Sequence, residues 1–431
     1  MKIALINPGS PRALRKENLG LAYLSAVLKN NGHKTLIIDE IARQNVAGCL
    51  EEFKPDVAAI SFMTMFAARA YAIADDIRRR RGIPVVMGGA HPTALPAEAI
   101  EHCDVVFRGE AEHAFAEALS RGCMEGVIDC VPPDNLDALP LPDRAALDLE
   151  FYARGGEELA GLSCRTLGVI TSRGCPYRCV FCANAMRQAA LRFHSPERVI
   201  EEIRYLADRH AVAGVAFYDE LMATDLDRFQ AICEALVATG LNRLRWECQM
   251  HPRTVRPDLL PLMKRAGCVQ VGIGFESGSQ RILDAIRKNT VVEENLAVAR
   301  LVREAGLRLR GCFVFGMPGE TPEDIAATEK FMRDARPDFA SIHFLTPFPG
   351  TPIYDANADR IRAMNIPWDT FTAGDPDTFT CNEAIPREEQ KRLYESLCAR
   401  QAFRNYSWFG MIRRAFRNPR HALHVAGKLI R

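Results

Sequence analysis

The sequence predicts an α/β protein with two parallel-sheet units and a C-terminal helical segment. Short apolar strand-like runs alternate with helical spacing in residues 1–125, and six further units of this kind follow from Leu167. Residues 387–431 have helical spacing. Buried strands that alternate with helices are typical of parallel sheets. We therefore predict a doubly wound, Rossmann-like N-terminal sheet, then a partial (β/α)6 barrel of the TIM type.

Each strand and helix is predicted from a run of apolar residues that ends at glycine, proline or polar residues. The first 125 residues give strands at Lys2–Asn7, Thr35–Asp39, Asp56–Met63, Pro84–Gly88 and Val105–Phe107, with helices at Leu19–Asn31 and Ala68–Arg81. Residues 126–160 contain four prolines and little periodicity, which predicts a linker. Barrel strands are expected at Leu167–Thr171, Gly214–Tyr218, Arg245–Gln249, Val269–Phe275, Leu309–Phe315 and Phe339–Thr346. The predicted domains are thus 1–125, 161–385 for the barrel and 386–431 for a basic helical tail.

Composition argues against a nucleic-acid-binding, secreted or membrane-spanning protein. The chain has 431 residues, 48% apolar and 25% charged, with a formal net charge of +1. This balance gives no reason to expect nucleic acid as a partner. The N-terminus lacks the long apolar core of a secretory signal, and no apolar run reaches the length of a membrane span. We therefore expect a cytoplasmic protein whose 14 cysteines are not a disulfide framework.

Three of the cysteines have a spacing that points to a metal site. Cys175, Cys179 and Cys182 form a C-x3-C-x2-C segment directly after a predicted strand. Three thiolates on one tight loop can each bind one iron of a cubane, which leaves the fourth iron open to another ligand. A structural zinc site is the alternative, but such sites usually close with four ligands. No second C-x2-C arm or nearby His-x3-His follows in the sequence.

The segment resembles the signature of the radical S-adenosylmethionine enzymes, including the aromatic Phe181 before the last cysteine. The resemblance implies a [4Fe-4S] cluster on Cys175, Cys179 and Cys182, whose open iron chelates the amino and carboxylate groups of S-adenosylmethionine. It also implies reductive cleavage to a 5′-deoxyadenosyl radical, and hence an electron donor such as a flavodoxin or ferredoxin. The cofactor carries this chemistry, and the barrel orients it.

Strand ends after the cysteine loop are similar to further motifs of that family. Tyr218, Asp219 and Glu220 stand where the family holds the methionine amine, although many relatives have Asp-Asp there. His251 stands where relatives tend to have arginine. It is either a substrate contact, an acid or base, or a structural histidine.

Two more motifs and a final turn complete the match along residues 167–355. Glu276 and Ser277 lie in a G-x-E-S-G-S turn whose Glu or Ser tends to reach the ribose. Gly316 lies in a fifth-strand motif that flanks the adenine, and residues 346–352 resemble the turn after the last strand. Each motif is a strand running into glycine or proline, so the backbone can approach a ligand closely.

The first 125 residues resemble the cobalamin-binding domain found ahead of radical barrels. Small residues at strand ends form a flat rim where ligands of open sheets bind, and a corrin needs such a surface. The D-x-H-x-x-G motif that supplies a lower cobalt ligand is absent, and His91 lies in a different motif. A domain that binds nothing and a nucleotide-binding domain are the alternatives. The candidate cobalamin-binding residues are Ser61, Gly88, Gly89, Gly109 and Glu110.

Two cofactors side by side suggest a division of labour. The first hypothesis is methylation of an unactivated carbon or phosphorus of a small molecule or lipid by a cobalamin-dependent methyltransferase. The second is a cobalamin-linked rearrangement, cyclisation or oxidation without methyl transfer. The third is a non-catalytic Fe–S or corrinoid carrier. No residue identifies a catalytic group or the substrate.

The C-terminal tail is basic and has interleaved aromatic residues. Residues 401–431 contain Lys and Arg but no Asp or Glu, with Trp408, Phe409 and Phe416 between them. Three interpretations are possible for this tail: a helix that packs on the barrel, a helix on a membrane surface, or a binding site for an anionic substrate or redox partner.

Overall fold

The first sheet contains six parallel strands in the computed structural model, which describes residues 1–10, 13–155, 164–183, 190–372 and 379–405. Strands β1 to β6 span Lys2–Asn7, Lys34–Asp39, Val57–Ser61, Val85–Gly88, Val105–Arg108 and Gly126–Asp129. Their order is β2-β1-β3-β4-β5-β6, so the strand order reverses between β1 and β3. In open sheets of this kind, ligands bind at that reversal, beyond the carboxyl ends of the strands.

Both faces of this sheet are covered, which explains the continuous apolar runs in its strands. Ile3 and Leu5 of β1 pack into one apolar cluster, whereas Ala4 and Ile6 pack into another. The helices of this region are α1 to α7, at Leu19–Asn30, Val46–Phe53, Ala67–Arg81, Ala90–Ala94, Pro96–Ala99, Glu112–Arg121 and Leu149–Gly155.

Strand β6 was not predicted, and the expected start of the linker at residue 126 falls on it. Gly126–Asp129 pairs in parallel with β5 at the edge of the sheet. Val127 is 45% exposed, so this strand lacks the buried apolar run by which the other strands were recognised. The last five residues of the predicted linker, 156–160, lie outside the described residues.

The second sheet has six parallel strands in the order β14-β13-β12-β11-β10-β7, which is the chain order of a partial (β/α)6 barrel. Its strands β7 and β10 to β14 span Thr166–Val169, Gly214–Phe217, Arg245–Met250, Cys268–Glu276, Arg308–Phe315 and Phe339–Phe344. A two-stranded antiparallel hairpin, β8 at Ser172–Arg173 and β9 at Arg192–Phe193, follows β7. The predicted fold class is therefore confirmed.

Helices alternate with the barrel strands as predicted. They are α8 to α16, at Pro196–His210, Leu226–Ala238, Leu260–Arg265, Gln280–Ala285, Val292–Glu304, Pro322–Ala335, Pro352–Asp355, Ala358–Ala363 and Arg387–Asn405. Helix α8 begins where predicted because the Ser195 side chain caps it and Pro196 occupies its first position. Within the described ranges, no helix is long and apolar enough to cross a bilayer. Most of the predicted basic tail, residues 406–431, lies outside those ranges.

The open edge of the barrel sheet is closed by charged side chains from outside it. The Gly168 N–H of β7 donates to Glu17 Oε1 at 2.9 Å, and the Gly168 carbonyl accepts from Arg144 Nη2 at 2.7 Å. Arg144 Nη2 also donates to Glu202 Oε1 at 2.5 Å. The Arg144 side chain is 1% exposed, and those of Glu17 and Glu202 are 3% and 4% exposed. Because β7 is an edge strand, these bonds satisfy backbone groups that would otherwise be unpaired.

We expect Arg144→Met to destabilise the protein strongly, because it leaves two buried carboxylates without their cation. Removal of one partner from a buried ion pair costs about 3–5 kcal/mol. The free energy of unfolding from urea denaturation measures this loss. Arg256→Met, in an ion pair more than half exposed, is the control and should leave the unfolding midpoint unchanged. If Arg144→Met is as stable as the control, the charged side chains at the β7 edge do not stabilise the barrel sheet.

Candidate functional site

The cysteine loop begins and ends at the β8–β9 hairpin. Arg173 and Arg192 are cross-strand partners at its base, and the cysteines lie between them in sequence. Gly174 enters the loop at φ +98, a backbone conformation that glycine adopts without strain. The structure thus places a three-cysteine loop directly after the first barrel strand, where the sequence predicted it.

The three thiols lie within electrostatic range of one another. Cys179 is buried, and Cys175 and Cys182 are half-buried. Burial raises the pKa of the Cys179 thiol to about 11; Lys288 opposes this shift, and Glu276 and the other two cysteines add to it. Among the residues that the structure describes, no group of three or more His, Cys, Asp or Glu side chains is already arranged around a metal position. The donor set itself fits a cluster, because thiolates are the ligands of iron–sulfur centres and metal binding displaces their protons.

Neighbouring barrel elements hold the loop in place. The Val180 N–H donates to the carbonyl of Ile286 at 3.2 Å. Tyr177 stacks on His251 with ring centroids 3.8 Å apart. His251 Nε2 in turn donates to the Lys288 carbonyl at 3.3 Å. Burial, with Lys288 nearby, lowers the pKa of His251 to about 3, so its ring is neutral. Among the three interpretations of His251, the structure therefore favours the structural histidine.

Asp219 fixes the strand from which the loop departs. Its carboxylate is 4% exposed and accepts the Thr171 N–H at 3.1 Å, the Thr171 hydroxyl at 2.8 Å and the Ser172 hydroxyl. Burial raises the pKa of Asp219, and these bonds and Arg228 oppose that shift. One of the three residues that the resemblance places near the methionine amine is thus already bonded to the base of the loop.

The two neighbours of Asp219 point in different directions. The Tyr218 hydroxyl donates to Glu17 Oε2 at 2.8 Å, and a Cβ at Gly168 would lie 2.2 Å from the Tyr218 ring. Burial raises the pKa of the Cys175 thiol, and the half-buried Glu220 lies close enough to add to that shift. Of the three predicted residues, Asp219 is bonded to the base of the loop, and Glu220 lies near one of its cysteines.

Glu276 forms a buried ion pair with a lysine that the sequence did not single out. Glu276 has φ +63, and its Oε1 accepts from Lys288 Nζ at 2.8 Å. A Cβ at Gly274 would lie 2.3 Å from that carboxylate oxygen, so the glycine makes room for the pair. Burial by itself lowers the pKa of Lys288. Glu276 and the nearby Cys179 and Cys312 raise it by more than burial lowers it, so the net shift is upward and the ammonium stays charged. A single lysine in a loop has no sequence pattern that would reveal this position.

Ser277 belongs to the wall of the barrel. It is 1% exposed, its hydroxyl lies 3.0 Å from Thr328 Oγ1, and its Oγ accepts from the Ser279 N–H. The Gly278 N–H donates to the same Thr328 hydroxyl at 2.9 Å. These bonds tie the turn to α13 and do not support a ribose contact through the Ser277 side chain.

Gly316 occupies a tight turn after β13. It has φ +82, and a Cβ there would lie 2.8 Å from the Phe344 ring. Its N–H donates to Glu320 Oε2 at 2.7 Å. Burial raises the pKa of Glu320 to about 7. The predicted close approach of the backbone at this position is thus accompanied by a buried carboxyl that braces the turn.

The rim of the N-terminal sheet has the small residues that the sequence predicted. Ser61 ends β3 and Gly88 ends β4, and both are half-buried. Gly89 has φ +94, and a Cβ there would lie 2.8 Å from the Phe62 backbone. Gly109 has φ +101, and its N–H donates to Thr93 Oγ1 at 3.0 Å. These residues give the strand ends a low profile on which a flat ligand can lie.

Apolar side chains stand exposed at the same edge, on either side of the strand reversal. Leu14, after β1, is 73% exposed, and Met63, after β3, is 55% exposed. His91 is 0% exposed, and its Nε2 lies 3.0 Å from the Tyr71 hydroxyl. The rim therefore fits a large flat ring such as a corrin, without a cobalt ligand from His91.

Glu110, the last of the candidate residues at this rim, is held in ion pairs with two arginines. Arg173 Nη1 donates to Glu110 Oε2 at 2.7 Å and to Glu112 Oε1 at 2.8 Å. Arg192 Nη1 donates to Glu110 Oε2 at 3.2 Å, and its Nη2 donates to Oε1. Burial raises the pKa of Glu110, but the two arginines outweigh it and hold that pKa below its usual range. The carboxylate is thus bonded to the base of the cysteine loop, through partners more than 60 residues away that no local motif reveals.

A second contact also joins the two sheets at this edge. Trp368, after β14, donates through Nε1 to Glu98 Oε1 at 2.8 Å. Leu95, which follows α4, packs with Val180 and Phe181 of the cysteine loop against one apolar cluster. The carboxyl ends of the two sheets therefore face each other, with the loop between them.

Comparison with known proteins supports two domains in this order. Residues 12–119 match the B12 binding domain, and residues 169–332 match the Radical SAM superfamily. An uncharacterized methyltransferase from Pyrococcus horikoshii, PH0819, is 30% identical, and the match covers 87% of both chains. The anaerobic magnesium-protoporphyrin IX monomethyl ester cyclase from Rubrivivax gelatinosus is 26% identical, over 85% of this chain and 71% of the relative.

A solved structure has the same fold. The radical S-adenosylmethionine methyltransferase TsrM from Kitasatospora setae, with cobalamin and a [4Fe-4S] cluster bound, superposes with a TM-score of 0.68 at 21% identity. The match covers 83% of this chain and 75% of that one. Together, the two domain matches and the full-length relative confirm the resemblance seen in the sequence: the chain belongs to the cobalamin-binding radical S-adenosylmethionine enzyme family.

Proposed function

We propose that the chain is a cobalamin-dependent radical S-adenosylmethionine methyltransferase that acts on a small molecule. One observation carries the proposal: the three-cysteine loop lies between the barrel and the B12-binding domain, and its base is bonded to that domain through Glu110 and Glu112. A cluster on the loop and a corrin on the rim would therefore share one opening. The full-length match to a methyltransferase supports methyl transfer.

In this proposal, Cys175, Cys179 and Cys182 are the cluster ligands. The cluster would supply the electron that cleaves S-adenosylmethionine, and cobalamin would supply a transferable methyl group. Glu220 and the Gly316 turn would hold S-adenosylmethionine, with Glu276 kept in place by Lys288. Asp219 and His251 would keep the loop in one conformation. Such fixed positions lower the entropic cost of bringing reactants together.

The corrin would lie on Ser61, Gly88, Gly89 and Gly109, with its edges against the exposed Leu14 and Met63. His91 is bonded to Tyr71 and packed in the interior. We therefore propose that no cobalt ligand comes from this histidine.

Cyclisation without methyl transfer is the second candidate, and the match to the cyclase favours it. The carrier hypothesis has no such support, because the relatives are enzymes. The substrate is proposed to be a small molecule, and a flavodoxin- or ferredoxin-like protein to be the reductant. The proposed membrane contact through residues 401–431 depends on a segment that is mostly outside the described ranges.

A labelling experiment separates the two candidate functions. The protein is reconstituted anaerobically with iron, sulfide and hydroxocobalamin, then given a low-potential reductant and S-adenosylmethionine with a trideuterated methyl group. Methyl transfer predicts that mass spectrometry finds the label on the corrinoid. Formation of 5′-deoxyadenosine with no label on the corrinoid would favour cyclisation and contradict the proposal.

We predict that Cys179→Ala loses the cluster, since the loop then has two thiolates in place of three. Wild-type protein should bind about four irons per chain after reconstitution, and the variant should lose most of them and form no 5′-deoxyadenosine. Iron analysis and chromatography of the product measure the two effects. Cys123→Ser, at an exposed cysteine, should behave as wild type. The proposal fails if Cys179→Ala still yields 5′-deoxyadenosine.

We also predict that Glu220→Gln and Ser277→Ala differ in their effect on S-adenosylmethionine. A charged hydrogen bond contributes about 1.5–3 kcal/mol, so loss of the Glu220 carboxylate should weaken binding roughly ten- to hundredfold. Ser277→Ala removes bonds within the wall and should leave the affinity unchanged. Equilibrium dialysis with the cluster-loaded protein measures both. Equal affinities in Glu220→Gln and wild type would exclude Glu220 from the binding site.

A further inference from the structure

The base of the cysteine loop is held by a closed set of four charged side chains. Glu110 and Glu112 come from the turn after β5 and the start of α6, and Arg173 and Arg192 form the cross-strand pair of the hairpin. Their exposed fractions lie between 6% and 16%. Two carboxylates balance two guanidinium groups, so the set is neutral as a whole. Each partner keeps the others from being buried as unpaired charges.

This acidic turn is also tied to the proposed corrin surface. Gly109, one residue before Glu110, donates its N–H to the Thr93 hydroxyl at 3.0 Å. Thr93 lies in α4, directly after the Gly88-Gly89 rim. The chain of contacts therefore runs from the rim to Thr93, to the turn after β5, and on to the two arginines that flank the cysteines.

We infer that Glu110 and Glu112 are positioning residues that couple the corrinoid-binding rim to the cysteine loop, so that corrinoid binding and cluster binding strengthen each other. The inference rests on the proposed function, because it requires both groups to bind this chain. A ligand that fixes the rim restricts the turn after β5, and through the arginines it restricts the loop. Coupling between two sites is reciprocal, so either order of binding gives the same factor.

The test measures the affinity for hydroxocobalamin by equilibrium dialysis, with protein that carries the reconstituted cluster and with protein that lacks it. In wild type we expect the cluster-loaded form to bind hydroxocobalamin about tenfold more tightly, within the usual range of such couplings. In Glu110→Gln the two affinities should converge to within about twofold, because the neutral amide cannot hold both guanidinium groups. Glu112→Gln should lose less of the coupling, since Arg173 keeps its bond to Glu110.

The matched control is Asp129→Asn, which breaks an exposed ion pair at 2.8 Å between Asp129 at the end of β6 and Arg108 at the end of β5. It should keep the wild-type coupling. Circular dichroism checks that each variant is folded. Arg192→Lys keeps the positive charge but loses the forked donors of the guanidinium group, so it should show partial coupling. The inference is overturned if Glu110→Gln keeps the wild-type factor, or if wild type binds both groups without coupling. Protein that binds no hydroxocobalamin in either form would overturn the proposed function, and the inference with it.

Discussion

The bond between Glu110 and the paired arginines of the hairpin is the contact on which the arrangement of the site depends. A two-residue strand pair is too short to be stable by itself. Here, its cross-strand arginines share a carboxylate from another domain, and this fixes the base of the loop that contains the cysteines. Because the four charges are nearly buried, a shift of one domain would leave unpaired charges behind.

The rest of the loop is braced from the barrel side. Asp219 accepts from the strand before it, Val180 bonds to the end of α11, and Tyr177 stacks on the neutral ring of His251. These contacts come from different elements, so the conformation of the loop depends on the whole barrel being closed. The bonds of Glu17 and Arg144 to β7 contribute to this closure, because β7 leads directly into the hairpin. Stability and site geometry are thus properties of the same contacts.

Much of the fold could be predicted from the sequence, and less of the site. Strands buried on both faces have long apolar runs, so β1 and the barrel strands were found within one or two residues at most ends. The exposed β6 has no such run and was missed. Glycines at Gly89, Gly109 and Gly316 marked strand ends correctly, because each has a positive φ. Sequence patterns do not give the direction of a side chain, so they do not reveal the bonds of Glu110 to the two arginines, the bonds of Ser277 to the barrel wall or the position of Lys288 beside Glu276.

In the proposed enzyme, the cluster loop and the corrinoid rim face one opening and are joined through Glu110. A crystal structure of the reconstituted enzyme with hydroxocobalamin and S-adenosylmethionine tests it most directly. We predict three iron–sulfur bonds from Cys175, Cys179 and Cys182, a corrin across the ends of β1, β3 and β4, and Glu110 still bonded to both arginines. A corrin bound elsewhere, or Glu110 turned away from the arginines to contact a cofactor, would contradict the account.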